Sequence, residues 1–115
     1  MPKETPADYE LLISFAAPKA LRQTAAKFNV STGAIRVANA IIYRESCGVF
    51  TSSGQLQTAK TASKTLLRAN IAELIKAGLV VRTRGPWLRL TLTGLGVGHT
   101  FARQLREVTQ ALRRA

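Results

Sequence analysis

Residues 63–84 read SKTLLRANIAELIKAGLVVRTR, and this stretch decides the fold. Leu67, Ile71, Leu74 and Gly78 recur at intervals of four, three and four, which places them on one side of an α-helix. Gly78 is also a typical helix stop, and the short basic run after it is typical of a β-strand. The stretch therefore predicts a helix of about four turns with one buried stripe.

The outward side of this helix is small and has little negative charge. Its positions are Thr65, Ala69, Ala72 and Lys76, flanked by Ser63, Lys64 and Arg68. Small side chains let a helix approach the groove of a duplex closely, and Thr65 can place a hydroxyl or methyl group against a base. Arg68 can reach guanine or a phosphate, and the amides at the helix N-terminus can bind phosphate. An ordinary amphipathic helix with an alanine-rich exposed side has the same pattern.

The chain is strongly basic. It has 115 residues, with 17 Lys and Arg against 6 Asp and Glu, and a formal net charge of +11. Such an excess concentrates polyanions near the protein, so nucleic acid is the first partner class to consider and an anionic membrane the second. Seven of the cations lie between residues 60 and 89, opposed only by Glu73. The positive field is therefore centred on the quoted stretch, although a charge run is often only a solvated face.

Length and side-chain chemistry exclude several classes. The length predicts one domain over 1–115, and the lone Cys47 excludes an intrachain disulfide. No signal-peptide core or apolar run of about 18 residues is present, so we expect a cytoplasmic protein with no membrane partner, associated with the nucleoid if it is a bacterial regulator. Cys47, Glu73, His99 and Glu107 do not make a metal-ligand set or a catalytic trio, so we expect no metal, cofactor or enzyme activity. Cys47 is either an oxidation sensor or an inert thiol.

Outside the quoted stretch the sequence predicts mainly helices. Their expected bounds are 8–17, 19–28, 31–47, 51–60 and 94–114. Asp8 and Ser31 can cap two of them, and Pro18 is expected to end the first because proline removes a backbone donor. With the quoted helix, the chain has about six predicted helices.

Two strand-like runs, 79–84 and 87–92, follow the quoted helix and are joined by Gly85 and Pro86, which predicts a hairpin. Alternation predicts one face with Leu88, Leu90 and Leu92 and another with Trp87, Arg89 and Thr91. We expect Arg82 and Arg84 to share the face of Arg89, which would make a basic ribbon. Trp87 could stack on DNA or cover the core, and we favour contact with DNA.

A short helix, a turn, a helix and a basic hairpin follow one another in a winged helix-turn-helix, whose second helix enters the major groove of DNA. The hairpin reaches the backbone or the adjacent minor groove. The sequence therefore predicts a mainly α fold with a two- or three-stranded wing sheet. The expected DNA contacts are Ser63, Lys64, Thr65, Arg68, Ala69, Lys76, Arg82, Arg84, Trp87 and Arg89.

These residues resemble the MarR-type winged-helix repressors. The resemblance lies in Ser63, Leu67, Ile71, Leu74, the run Ala77, Gly78, Leu79, Val80, then Arg82, Leu92, Thr93 and Gly96. It covers 51–115, and the first fifty residues only in helical layout. The wing at 84–87 is shorter than in that family and lacks its acidic-basic motif, and Lys60 stands where the family has an apolar residue. The resemblance implies a homodimeric transcriptional repressor whose helices at 8–17 and 94–114 pair the subunits; no small-molecule effector is indicated.

The last predicted helix has its own apolar seam. Phe101, Leu105, Val108 and Leu112 recur at four, three and four, which is typical of a seam shared by two helices. We expect a dimer contact here, with packing on the same chain as the alternative. A dimer would favour a palindromic site with half-sites about one helical turn apart.

Residues 21–39, LRQTAAKFNVSTGAIRVAN, also fit a helix-turn-helix pattern. Asn29 tolerates the left-handed geometry of the turn, and Ile35 would be buried in the second helix. In this interpretation bases are contacted by Thr32, Gly33 and Arg36, and phosphates by Arg22 and Lys27. No wing follows, so these helices could instead support the unit at 51–77. Two further functions stay open: an architectural DNA-binding protein of a plasmid, phage or chromosome, and a winged-helix protein-interaction adaptor.

Overall fold

The computed structural model describes residues 6–49, 51–58, 64–85 and 87–114. In chain order their elements are α1 Pro6–Phe28, α2 Thr32–Ser46, β1 Thr51–Ser52, α3 Ser53–Thr58, α4 Lys64–Lys76, β2 Val80–Arg82, β3 Trp87–Leu90 and α5 Leu92–Arg114. The described residues are thus mainly helical with a small antiparallel sheet, as predicted. They contain five helices and not about six.

The predicted break between two helices at Pro18 is absent from the structure. The sequence predicted two helices on either side of this residue, but α1 runs through it without interruption. Ala16, Ala20 and Thr24 recur at four-residue spacing across the proline and are all fully buried, and α1 packs along α5. Pro18 itself is exposed, so its ring and missing N–H lie on the outer side. Burial of one continuous stripe therefore outweighs the local cost of proline.

Two of the predicted turn residues end helices as expected. Asn29 has φ 56° and Gly78 has φ 76°, the left-handed region that asparagine and glycine tolerate best. After α4, the N–H of Leu79 donates to the carbonyl of Leu74 at 3.0 Å and that of Gly78 to Ile75 at 3.1 Å. This bond pair is a Schellman motif, which stops the helix and turns the chain into β2.

The sheet has three strands in the order β1-β3-β2. β2 pairs with β3 in the register Val80 with Leu90, Val81 with Arg89 and Arg82 with Leu88. Thr51 and Ser52, expected to begin a helix, form β1 on the other side of β3. They are followed directly by α3, which is capped reciprocally: Ser52 Oγ accepts from the N–H of Gln55 at 3.2 Å, and Gln55 Oε1 accepts from the N–H of Ser52 at 3.0 Å.

The second hairpin strand is shorter than predicted. Thr91 is not a strand residue: its Oγ1 accepts from the N–H of Gly94 at 3.0 Å and donates to the carbonyl of Gly78 at 2.6 Å. Thr91 thereby caps α5, which begins at Leu92, two residues before the predicted start at residue 94. Leu92 is 87% exposed, so its predicted place on the apolar strand face is wrong. The Thr91 hydroxyl can cap a helix N-terminus, and the alternation of strand residues does not predict this cap.

The core is formed by residues of all five helices and the sheet. The predicted stripe of α4 is buried, with Leu67 at 3%, Ile71 at 2% and Leu74 at 0% exposure. The start of α5 lies directly on the connection between α4 and β2, since a Cβ on Gly94 would be 1.9 Å from the carbonyl oxygen of Leu79. These contacts fix the buried side of α4 and leave its opposite side to the solvent.

Candidate nucleic-acid interface

The side of α4 away from the core is exposed along its length. Its exposed residues include Thr65, Arg68, Ala69, Ala72 and Lys76. This is the face that the periodicity predicted, because a buried stripe on one side of a helix leaves the other side open. Ser63 and Lys60 lie outside the described residues, and so does the side chain of Lys64.

The acidic residue of α4 is held on a different side of the helix. Glu73 Oε2 accepts from the N–H of Ser31 at 2.9 Å, and its Oε1 accepts from the Ser31 hydroxyl at 2.6 Å. Ser31 in turn caps α2, where its Oγ accepts from the N–H of Ala34 at 3.1 Å. The carboxylate therefore sits at the positive end of α2 and stabilises it. Ser31 and Glu73 are 42 residues apart, so no local sequence signal could have predicted the contact.

α2 is the alternative candidate for the helix that contacts DNA bases, and its first turn packs against α4. α1 and α2 do form a helix-turn-helix outline around Asn29. A Cβ on Gly33 would however lie 2.9 Å from Asn70 Nδ2 of α4, and Asn70 is only 5% exposed. Gly33 is therefore packed against α4, and both Gly33 and Thr32 are partly buried. The remaining residues of that hypothesis are exposed: Arg22, Lys27 and Arg36.

A depression of about 360 Å³ lies between α4 and the hairpin. Its lining residues include Arg68, Ile71, Ala72, Ile75 and Arg82. The fold thus brings together two of the arginines that the sequence singled out. In the part of the chain that the structure describes, neither guanidinium has an ion pair or hydrogen bond. Two cations on one wall without a counterion are a feature typical of an anion-binding surface.

Arg82 and Arg89 lie on opposite faces of the hairpin, which corrects the prediction that they share one. Residues paired across an antiparallel ladder point to the same face. Arg82 pairs with the fully buried Leu88, whereas Arg89 pairs with Val81, which is 45% exposed. Register decides this, because one residue of shift exchanges the two faces of a strand.

The outer face of the hairpin has a different chemistry. Arg89 Nε donates to Glu45 Oε1 of α2 at 2.9 Å, beside a shallow depression that Gly48 and Val49 also line. Trp87 is on the same strand face and is 39% exposed. Arg84 is exposed in the turn that the Thr83 N–H closes on the carbonyl of Trp87 at 2.9 Å. Arg89 and Trp87 are therefore separated from the α4 depression by the sheet.

The predicted dimer seam on α5 is partly occupied within the chain. Val108 is 6% exposed and Phe101 packs against the chain's own core, while Leu105 lines a depression together with Ile13 of α1. Leu112 is 40% exposed. The reason is that α1 extends through Pro18 and covers α5 over much of its length. The exposed apolar side chains at this end also include Leu11 at 58% and Phe15 at 68%.

The described ranges contain no cluster of three His, Cys, Asp or Glu residues placed to hold a metal ion. Cys47 is exposed at the C-terminal cap of α2. No helix within them has the length and apolar character needed to cross a membrane.

Neither a protein-family model nor a curated protein sequence matches this chain at a significant level.

Proposed function

We propose that this protein binds double-stranded DNA with sequence preference and acts as a transcriptional repressor, using α4 and the β2–β3 hairpin as one surface. The supporting observation is that the exposed side of α4 continues across the depression to Arg82. Glu73, the acid of this helix, faces Ser31 and is removed from that surface. A small, cationic helix face of this kind fits the major groove, with phosphates on either side.

The order of elements supports a winged helix-turn-helix. α2, β1, α3, α4 and the β2–β3 hairpin follow one another as the parts of that fold do, with α4 as the recognition helix and the turn at Arg84 as the wing tip. The resemblance to MarR-type repressors stays a prediction within this proposal. Thr65, Ala69 and Lys76 are the proposed groove contacts, and Arg84 the backbone or minor-groove contact.

A homodimer is part of the proposal. Leu11, Phe15 and Leu112 are large exposed apolar residues of α1 and α5, at the end of the protein remote from the sheet. In this proposal a second copy of the chain covers these three side chains. Phe101 and Val108 are already packed within their own chain. A symmetric dimer would present two α4 helices to a palindromic DNA site.

An architectural DNA-binding protein is the second candidate. It is favoured by the net charge of +11, since phosphate contacts alone give affinity without sequence preference. The two candidates differ in the ratio of specific to non-specific affinity.

The test is selection from a random duplex pool followed by salt titration. Binding to the selected sequence and to its scrambled version is measured from low to physiological salt. A repressor should prefer the selected duplex by about a thousandfold or more, with a steep salt dependence on both. Equal affinities would overturn the repressor and favour the architectural protein. A failure to bind any duplex at low salt would overturn both and favour a protein-interaction adaptor.

A further inference from the structure

We infer that Arg68 and Arg82 together hold one backbone phosphate of the DNA in the depression between α4 and β2. In this assignment Arg68 positions the duplex and does not read a base edge. The inference rests on the proposed function and deepens it, because it separates the residues that bind the DNA backbone from those that contact the bases.

The charge arrangement is the first reason. Arg68 comes from a helix and Arg82 from a strand, and the fold places both on the wall of one depression of about 360 Å³. Like charges that share a concave wall repel one another, and an anion between them removes that cost. No carboxylate is among the described residues that line this depression, and neither arginine is in an ion pair with a described carboxylate.

The lining of the depression is the second reason. Ile71, Ala72 and Ile75 form an apolar floor, and Ile75 is 37% exposed despite its size. A phosphodiester offers an anion and an adjoining sugar, so the guanidinium groups can bind its oxygens while the sugar packs on the isoleucine. The planar guanidinium fork matches phosphate in two-bond geometry, which a base edge offers only at guanine.

The position of Arg68 on α4 is the third reason. On a helical wheel the exposed row of Thr65, Ala69, Ala72 and Lys76 is centred opposite the buried stripe, and Arg68 is roughly 70° away from that centre toward the hairpin. When the exposed row faces the floor of the major groove, a residue at that angle faces the groove wall. The wall is the phosphate backbone, and Arg82 approaches the same wall from the hairpin.

A double-mutant cycle tests whether the two arginines share one phosphate. Arg68→Ala, Arg82→Ala and the double variant are compared on the selected and the scrambled duplex over a range of salt, with Arg103→Ala, an exposed arginine of α5, as the control for one lost charge. We expect each single variant to lose roughly tenfold or more on both duplexes, and the double variant to lose less than the product. The slope of log affinity against log salt concentration reports the number of phosphates contacted. In the double variant this slope should decrease by the equivalent of about one phosphate contact and not two.

A neutral backbone substitution identifies the phosphate. Single methylphosphonates are placed in turn along the selected duplex, and the affinity of the wild-type protein and of both single variants is measured at each position. We expect one position per half-site at which the methylphosphonate lowers the affinity of the wild type. At that position it should not lower the affinity of either single variant any further. Circular dichroism melting controls for folding, because both arginines are exposed and their removal should leave the melting temperature unchanged.

Three results would overturn the inference. A loss confined to the selected duplex would make Arg68 a base-reading residue. Losses that multiply, with a slope change of two phosphates, would assign the arginines to separate phosphates, and so would different methylphosphonate positions for the two variants. In each case selective DNA binding by the wild type would persist, so the proposed function would stand. Absence of any duplex binding would instead remove the proposed function itself.

Discussion

The helix pairs α1–α2 and α3–α4 differ in what covers the second helix. α2 begins against α4, with Ser31 bonded to Glu73 and Gly33 seated on Asn70. α4 has its own inner stripe covered and its outer side exposed. The comparison teaches that the neighbours of a helix decide which of its sides stays exposed.

Glu73 links the two helices in this comparison. The same carboxylate that completes the cap of α2 is withdrawn from the exposed side of α4. One contact therefore joins the start of α2 to α4 and holds the carboxylate on the side of α4 that faces α2.

The placement of α4 depends on the packing of α5 against the segment that follows α4, at Leu79. We expect Gly94→Ala to lower the free energy of unfolding by more than about 3 kcal/mol, because the new Cβ would meet the Leu79 carbonyl oxygen at 1.9 Å. Denaturant titration followed by circular dichroism measures the change. Gly96→Ala is the matched control: no atom lies within 4 Å of its Cβ position, so it should stabilise the helix by up to about 1 kcal/mol. Equal stability of the two variants would show that α5 is not seated on Leu79.

The second prediction compares the exposed sides of α4 and α2 directly. Ala69→Glu and Arg36→Ala each lower the net charge by one, and both positions are exposed. We expect Ala69→Glu to weaken DNA binding by roughly a hundredfold, since a carboxylate would face phosphates and base edges, and Arg36→Ala to change it by less than about threefold. Fluorescence anisotropy on the selected duplex measures both. The reverse order of effects would transfer the DNA-reading role to α2.

The third prediction concerns the contact between the two helices. Glu73→Gln weakens charge-assisted bonds to the N–H and hydroxyl of Ser31, so the free energy of unfolding should fall by about 1 to 2 kcal/mol. Affinity for DNA should stay the same or rise, because one negative charge is removed. Thermal unfolding and anisotropy measure the two quantities, and Glu107→Gln on the exposed side of α5 is the control. A large loss of DNA binding without a loss of stability would place Glu73 in the interface.

The smallest effect is expected in the turn between α1 and α2. Asn29 already has φ 56°, so Asn29→Gly should change the free energy of unfolding by less than about 0.5 kcal/mol. Ala26→Gly, one turn earlier on the exposed side of α1, should cost about 1 kcal/mol because glycine is a poor helix former. Chemical unfolding of both variants measures the difference. A larger effect at Asn29 would mean that this turn, and not only the cover over α2, distinguishes the two units.

Several features were predictable because their causes are local. The four-three-four spacing predicted the buried stripe of α4, and Gly78 and Asn29 predicted helix ends, since periodicity and left-handed geometry depend on neighbouring residues. The hairpin was predictable for the same reason. Its faces were not, because Thr91 ends the strand by capping α5 and the register sets Arg82 beside Leu88.

The sequence by itself determined a basic, mainly helical chain with one amphipathic helix, a hairpin after it and a concentration of cations between residues 60 and 89. Only the tertiary structure decided that α1 continues through Pro18 and that the first turn of α2 packs against α4. It also decided that Arg82 lines the same depression as Arg68, while Arg89 pairs with Glu45. The physical reason is distance along the chain. Spacing and propensity act over a few residues, whereas burial and ion pairing join residues that are 42 or 44 positions apart.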